Sequence, residues 1–221
     1  MVVFAEDMVK ERLEEYNRHM GKLPAKIVVF RDGVSEGEIG NVLETEVPKI
    51  KNAFKHFTHY QPKLTVVVCD KRHHTRCYPT SGEHADNTGN TRAGTVVDQG
   101  VTGVYDFDYY LQAHAAIQGT VRPAHYTVVY DENQLDADTI QKGTNSVCYL
   151  WAPATRSVSL APPAYWADRA CDRARLYLHE IYSPSQNSPL RKMKEEKVLE
   201  KAYEHWGNGI HESLKNSMFY V

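Results

Sequence analysis

The chain has 221 residues, 42% hydrophobic and 24% charged, enough for a buried core in an ordinary globular protein. A formal net charge of -2 excludes a globally basic nucleic-acid binder, so any polyanion site must be a local patch. Four cysteines without a CxxC pair exclude a disulfide framework, no apolar run is long enough to span a bilayer, and the start lacks the apolar core of a signal peptide, so a cytoplasmic or nuclear setting is expected.

Val9, Leu13, Tyr16 and Met20 recur at helical spacing and predict a helix over 6–20, stopped at Gly21. The apolar run 26–31, ending at Asp32-Gly33, predicts a buried strand of a parallel sheet. Ser35-Glu-Gly-Glu38 has the capping-box form, and Ile39, Val42, Leu43, Ile50, Ala53 and Phe54 continue a helix to Phe57 with a kink at Pro48. Residues 64–69 predict a second buried strand, so strand, helix and strand form a right-handed crossover unit. A polar loop is expected over 81–91, then strands over 94–98, 106–113 and 125–130. Helices follow over 136–150 and from the prolines at 162–163 to Tyr177. The Pro/Ser/Asn-rich stretch 183–194 predicts a mobile loop and 195–206 a charged helix, while the end, 218–221, is unusually apolar for a solvated tail. The fold class is α/β, an open, mostly parallel sheet with flanking helices, in one domain over 1–221.

Asp32 follows a strand end, where ligands and catalytic groups of open α/β sheets collect, so its carboxylate can hold a divalent metal. The Asp-Gly pair also makes an ordinary turn, and both readings stay open. Lys71, Arg72, His73, His74 and Arg76 place three permanent positive charges and two imidazoles after the next strand, as phosphate donors or as a solvated charged loop. Cys69, His73, His74 and Cys77 would also make a zinc set, although the spacing fits no standard finger. Further on, 114–123 is a strand exit with Gly119, in which Gln118, Thr120 and Arg122 can donate to a phosphodiester backbone or make no more than a polar loop. On the later helix, Asp168, Asp172 and Arg175 share a face, as a surface ion-pair ladder would.

In their order along the chain, Phe-Arg-Asp-Gly-Val-Ser-Glu-Gly (30–37), Tyr-Gln-Pro (60–62), Lys-Arg-His-His-Thr-Arg (71–76), His114 with Ile-Gln-Gly-Thr (117–120), Arg-Pro-Ala-His-Tyr (122–126) and Thr-Arg-Ser-Val-Ser (155–159) resemble the successive blocks of a eukaryotic, fungal-like Argonaute PIWI domain, in its C-terminal part. The resemblance implies a partial ribonuclease H-like fold and a segment of an RNA-silencing protein that binds small guide RNA. In the complete family the target RNA paired to the guide is cleaved.

By residue-wise matching, Asp32 and Asp168 are the third and fourth of four catalytic positions that hold two Mg²⁺ (or Mn²⁺) ions. Lys71, Arg72, His74, Arg76, His114, Gln118, Arg122, Ser159 and Tyr165 would line the guide backbone. Arg173 would approach the guide's 5′ phosphate, with the C-terminal carboxylate of Val221 buried nearby. A basic residue usual in the family before Thr155 is replaced in Trp151-Ala-Pro-Ala154. The family's first Asp and its Glu have no match, since Glu6 and Asp7 fit neither motif. The expectation is therefore a chain inactive in cleavage by itself, a nuclease only when an upstream half complements it, with a sheet edge left open. The resemblance also implies apolar pockets along 35–57 for tryptophan-rich partner proteins.

Overall fold

The computed structural model describes residue 2 and residues 4–182, 195–207 and 209–221. Two compact units result, residues 1–164 and 165–221. The expected mobile loop over 183–194 lies outside the described residues.

In the first unit, α1 (Ala5–Met20) ends on Gly21, whose left-handed backbone (φ 68°) lets its N–H return to the Asn17 carbonyl. β1 (Lys26–Asp32) follows, then a 3₁₀ turn (Glu36–Glu38), α2 (Ile39–Asn41), a π turn (Val42–Glu46) and α3 (Val47–Phe54). The kink expected at Pro48 takes the form of that π turn. Pro48 has no N–H to offer, so it sits in the first turn of α3, after the wide loop closed by Val47 N–H on the Val42 carbonyl. Ser35 and Glu38 do meet, the hydroxyl donating to the carboxylate at 3.2 Å. β2 (Lys63–Asp70) runs parallel to β1, in register from Lys26 with Lys63 to Asp32 with Cys69.

β3 (Thr95–Val97), β4 (Phe107–Gln112) and β5 (Ala124–Asp131) complete a five-stranded sheet of order β1-β2-β5-β4-β3. Only β1 and β2 are parallel; β5 pairs antiparallel with both β2 and β4, and β3 antiparallel with β4. The mostly parallel sheet read from the sequence is thus corrected to a mostly antiparallel one. Parallel neighbours need a crossover, and no helix stands between β3, β4 and β5.

The β2 side chains alternate between two buried layers. Leu64, Val66 and Val68 join Leu13 of α1 and Val47, Ile50 and Phe54 of α3 in one apolar cluster. On the sheet's other strands Tyr109 and Tyr126 stack at 5.4 Å between ring centres. Tyr109 shares a 2.8 Å hydrogen bond with Thr144 of α4 (Ala137–Val147), whose N-cap Asp136 accepts from Thr139 N–H. α4 is therefore shorter at both ends than the 136–150 read from sequence.

α5 (Pro162–Tyr177) begins at the first proline and runs into the second unit. There α6 (His179–Tyr182) and α7 (Glu195–Trp206) follow, and the Tyr177 and Trp206 rings meet at 5.7 Å. Asp168, Asp172 and Arg175 form no ion pair among the described residues, so the ladder does not form. Val221 is 43% exposed rather than buried and Met218 is exposed too, while Phe219 meets Tyr220 at 5.6 Å.

One ion pair ties the π turn to β1. Arg31 donates to both carboxylate oxygens of Glu46, at 2.9 and 3.2 Å, and to the carbonyl of Asp32, while Val2 N–H donates to Glu46 at 2.8 Å. Burial of Glu46 opposes its charge, but the bonds from Arg31 and Val2 prevail and hold its carboxyl below the usual range. Arg31→Met would strand a buried carboxylate. It should lower stability by about 3 kcal/mol in urea unfolding, more than Arg31→Met combined with Glu46→Leu.

Candidate nucleic-acid interface

The alternation of strand directions brings an end of every strand to one edge of the sheet, β3 included, with Thr95 opposite Gln112. β1 and β2 end there, at Asp32 and Asp70; β5 begins there, with His125 opposite Asp70; β4 ends there, with Leu111 opposite Ala124. Three loops of the first unit that the sequence singled out leave from this edge: Asp32-Gly33, 71–76 and 114–122.

Lys71 is half-buried, and its ammonium donates to the Ser159 hydroxyl. Arg122 donates to the Lys71 carbonyl at 3.1 Å, so the two loops touch. Burial and the neighbouring Arg122 both pull the Lys71 pKa down, while Asp32 works the other way. His114 lies in the same group: burial, then the charge of Lys71, push its pKa down to about 4. The imidazole is therefore neutral at pH 7, and its Nδ1 is buried with no hydrogen-bond partner. Lys71, His114, Arg122, Ser159 and Asp32 thus form one electrostatic group, cationic on balance. Arg72, His74, Gln118 and Arg122 are exposed around it, and Arg76 folds back, donating to the Thr75 carbonyl at 2.8 Å. Such an array of cations and neutral donors suits the oxygens of a phosphodiester chain.

Two kinds of supporting residue escaped the sequence reading. His73 turns inward: its Nε2–H donates to the Pro123 carbonyl at 2.9 Å and its ring meets Tyr110 edge-on at 5.1 Å. Tyr110 stacks on His125 at 4.3 Å, and Asp108 accepts from His125 at 2.6 Å. This stack anchors the 71–76 loop. Its members alternate along β4 and β5, a pattern visible in sequence only once those strands are known to pair. The second kind is the 85–91 turn, which grips the 114–122 loop and carries Asn90.

Tyr165, Asp168 and Arg173 belong to the second unit, where Asp168 and Arg173 are exposed on α5. Asp32 and Asp168 thus fall in different units. Among the described residues no group of three or more His, Cys, Asp or Glu side chains comes together to hold a metal ion. A pair of divalent ions needs more carboxylate oxygens than two Asp side chains offer. The residues present do not by themselves fit a metal pair. The zinc set fails on its chemistry too. Cys69 is fully buried, and burial together with Asp32 pushes its thiol well above the ordinary value, opposite to what a thiolate ligand requires; His73 is committed to Pro123.

The depressed His114 has a stability consequence. The folded state holds the ring neutral to about pH 4, whereas the unfolded chain binds a proton near its ordinary 6.5. This contribution is present above 6.5 and is lost as pH falls from 6.5 to 4. Thermal unfolding followed across that window should show His114→Gln less acid-sensitive than the parent chain.

Comparison with known proteins agrees with this arrangement. The Piwi domain family matches residues 1–179. Protein argonaute 1C of Oryza sativa subsp. japonica is 45% identical over 184 residues, 81% of this chain and 18% of that protein. Protein argonaute 10 of Arabidopsis thaliana is 41% identical over 217 residues, 96% of this chain and 22% of that protein. The crystal structure of the C-terminal lobe of a budding yeast Argonaute superposes with a TM-score of 0.83 at 30% identity, over 100% of this chain and 45% of that one. That of Kluyveromyces polysporus Argonaute with a guide RNA gives 0.85 at 32%, over 100% and 27%. The chain spans about a fifth of the length of the curated relatives it matches. With its fold and the ordered blocks at its sheet edge, the chain belongs to the Piwi domain family of the Argonaute proteins.

Proposed function

We propose that this chain is an RNA-binding segment of a silencing protein, holding the sugar–phosphate backbone of a small guide RNA across the sheet edge. The observation that carries this reading is the pairing of Lys71 with Arg122. Two cations are held together, one half-buried, with Asp32 opposing them at Lys71. Like charges so placed favour an anion between or above them. A chain of phosphates supplies that anion repeatedly, and the exposed Arg72, His74 and Gln118 extend the track.

The neutral, unpartnered Nδ1 of His114 would complete its bonding from a ribose hydroxyl or a bridging water. Tyr165 and Arg173, on α5, would contact the guide and its 5′ phosphate. In the longer proteins the same segment would serve cleavage of the paired target with Mg²⁺ or Mn²⁺. For this chain, binding is the activity proposed.

Docking of tryptophan-rich partners along 35–57 would need an apolar pocket for the indole. The cavity beside that segment is lined by Arg31, Val34, Glu38, Asn41, Val42 and Glu46, a charged rim poorly matched to an indole.

Affinity for a short single-stranded RNA, measured over a range of salt, should fall linearly on a log–log plot. Arg72→Ala and Arg122→Ala should each weaken binding without regard to base sequence and flatten the slope by about 0.7, the change for one lost phosphate contact. A slope near zero, or binding indifferent to both changes, would sink the proposal.

A further inference from the structure

The loop between β4 and β5 carries Gln118 and Arg122 but lacks regular secondary structure, so something else must hold its shape. We propose that Asn90 is the residue that positions this loop for RNA, an inference that rests on the function proposed above. The Asn90 side chain is buried, at 6% exposure. Its Nδ2 donates to the Gly119 carbonyl at 2.9 Å, and its Oδ1 accepts from Val121 N–H at 2.9 Å. One planar amide therefore grips the main chain on both sides of Thr120. Gly119 stands at φ 71°, a left-handed backbone that an unsupported loop would readily leave.

Asn90 is itself fixed from two directions. Its N–H donates to the Asp86 carboxylate at 3.0 Å, and its carbonyl accepts from Asp86 N–H at 2.7 Å. The Ala116 N–H, near the start of the loop, adds to the Thr88 and Asn90 donors that hold the Asp86 carboxyl below its usual range. Next door, the Thr91 carbonyl accepts from the Gln112 side chain at 2.5 Å, and the Thr91 hydroxyl donates to it. Gln112 is the last residue of β4, the strand from which the loop departs. The clamp is thus mounted on the strand that launches what it clamps. The task needs a donor and an acceptor on one short side chain. Asp lacks the donor, Ser lacks the reach, and only the amide meets both carbonyl and N–H. Holding the loop before RNA arrives removes an ordering cost that a slack loop would pay on binding.

The test is a double-mutant cycle on RNA affinity in the full chain, with folding checked by circular dichroism and thermal melting. Asn90→Ala should weaken binding of single-stranded RNA roughly tenfold, the order expected when two hydrogen bonds fixing a loop are lost. It should be sub-additive with Gln118→Ala, on the clamped loop, and additive with Arg72→Ala, on the other loop. A merely structural role would not separate those two cycles. Should Asn90→Ala fail to fold, Asn90→Asp keeps the bond to Val121 and loses that to Gly119, and the same cycles are read with it. A folded variant that binds as the parent does, or is additive with both partners, overturns the positioning role alone. A parent chain that binds no RNA overturns the proposed function and this inference with it.

Discussion

The structure depends on the placement of β5, inserted antiparallel between β2 and β4. That insertion decides which strand ends share an edge. Had β5 run parallel to β2, its start would lie at the far end of the sheet and Arg122 would be carried away from Lys71. Because it runs antiparallel, the loop that enters β5 meets the loop that leaves β2, and Arg122 reaches the Lys71 carbonyl. The hydrogen bonds that build the sheet thereby hold together cations that would otherwise separate.

Cohesion of the edge then comes from buried polar groups rather than from apolar packing. Glu46 with Arg31 secures the end of β1, the His73–Tyr110–His125–Asp108 stack secures the loop after β2, and Asn90 with Gln112 secures the loop after β4. The last two fix backbone beside exposed or half-buried phosphate donors, and the first fixes it beside Asp32. A buried polar side chain is costly unless fully bonded, so these contacts resist rearrangement. Rigid framing of exposed cations is what a backbone-reading surface requires, since the protein must match phosphate spacing rather than base identity.

Much of this was legible in the sequence. The two apolar runs gave β1 and β2, the prolines at 162 and 163 marked the start of α5, and the blocks around Asp32, Lys71 and Gln118 pointed to the loops that share the edge. The sheet's direction was not legible, because the local pattern of β3, β4 and β5 does not say which neighbour each pairs with, and β4 is buried on both faces. The absence of helical spacing between them was the available signal. The framing residues were missed for a related reason. Asn90 in Gly-Asn-Thr reads as a turn residue, and His73 reads as one more member of a basic run; only pairing across the sheet shows them turned inward.

The measurement that tests this account most directly is ultraviolet crosslinking of the chain to a short single-stranded RNA, with the attached peptides located by mass spectrometry. Crosslinks confined to the strand-edge loops 71–76 and 114–122, together with the start of α5, are the predicted result. Crosslinks absent from both loops and spread over α1 or α7 would contradict it.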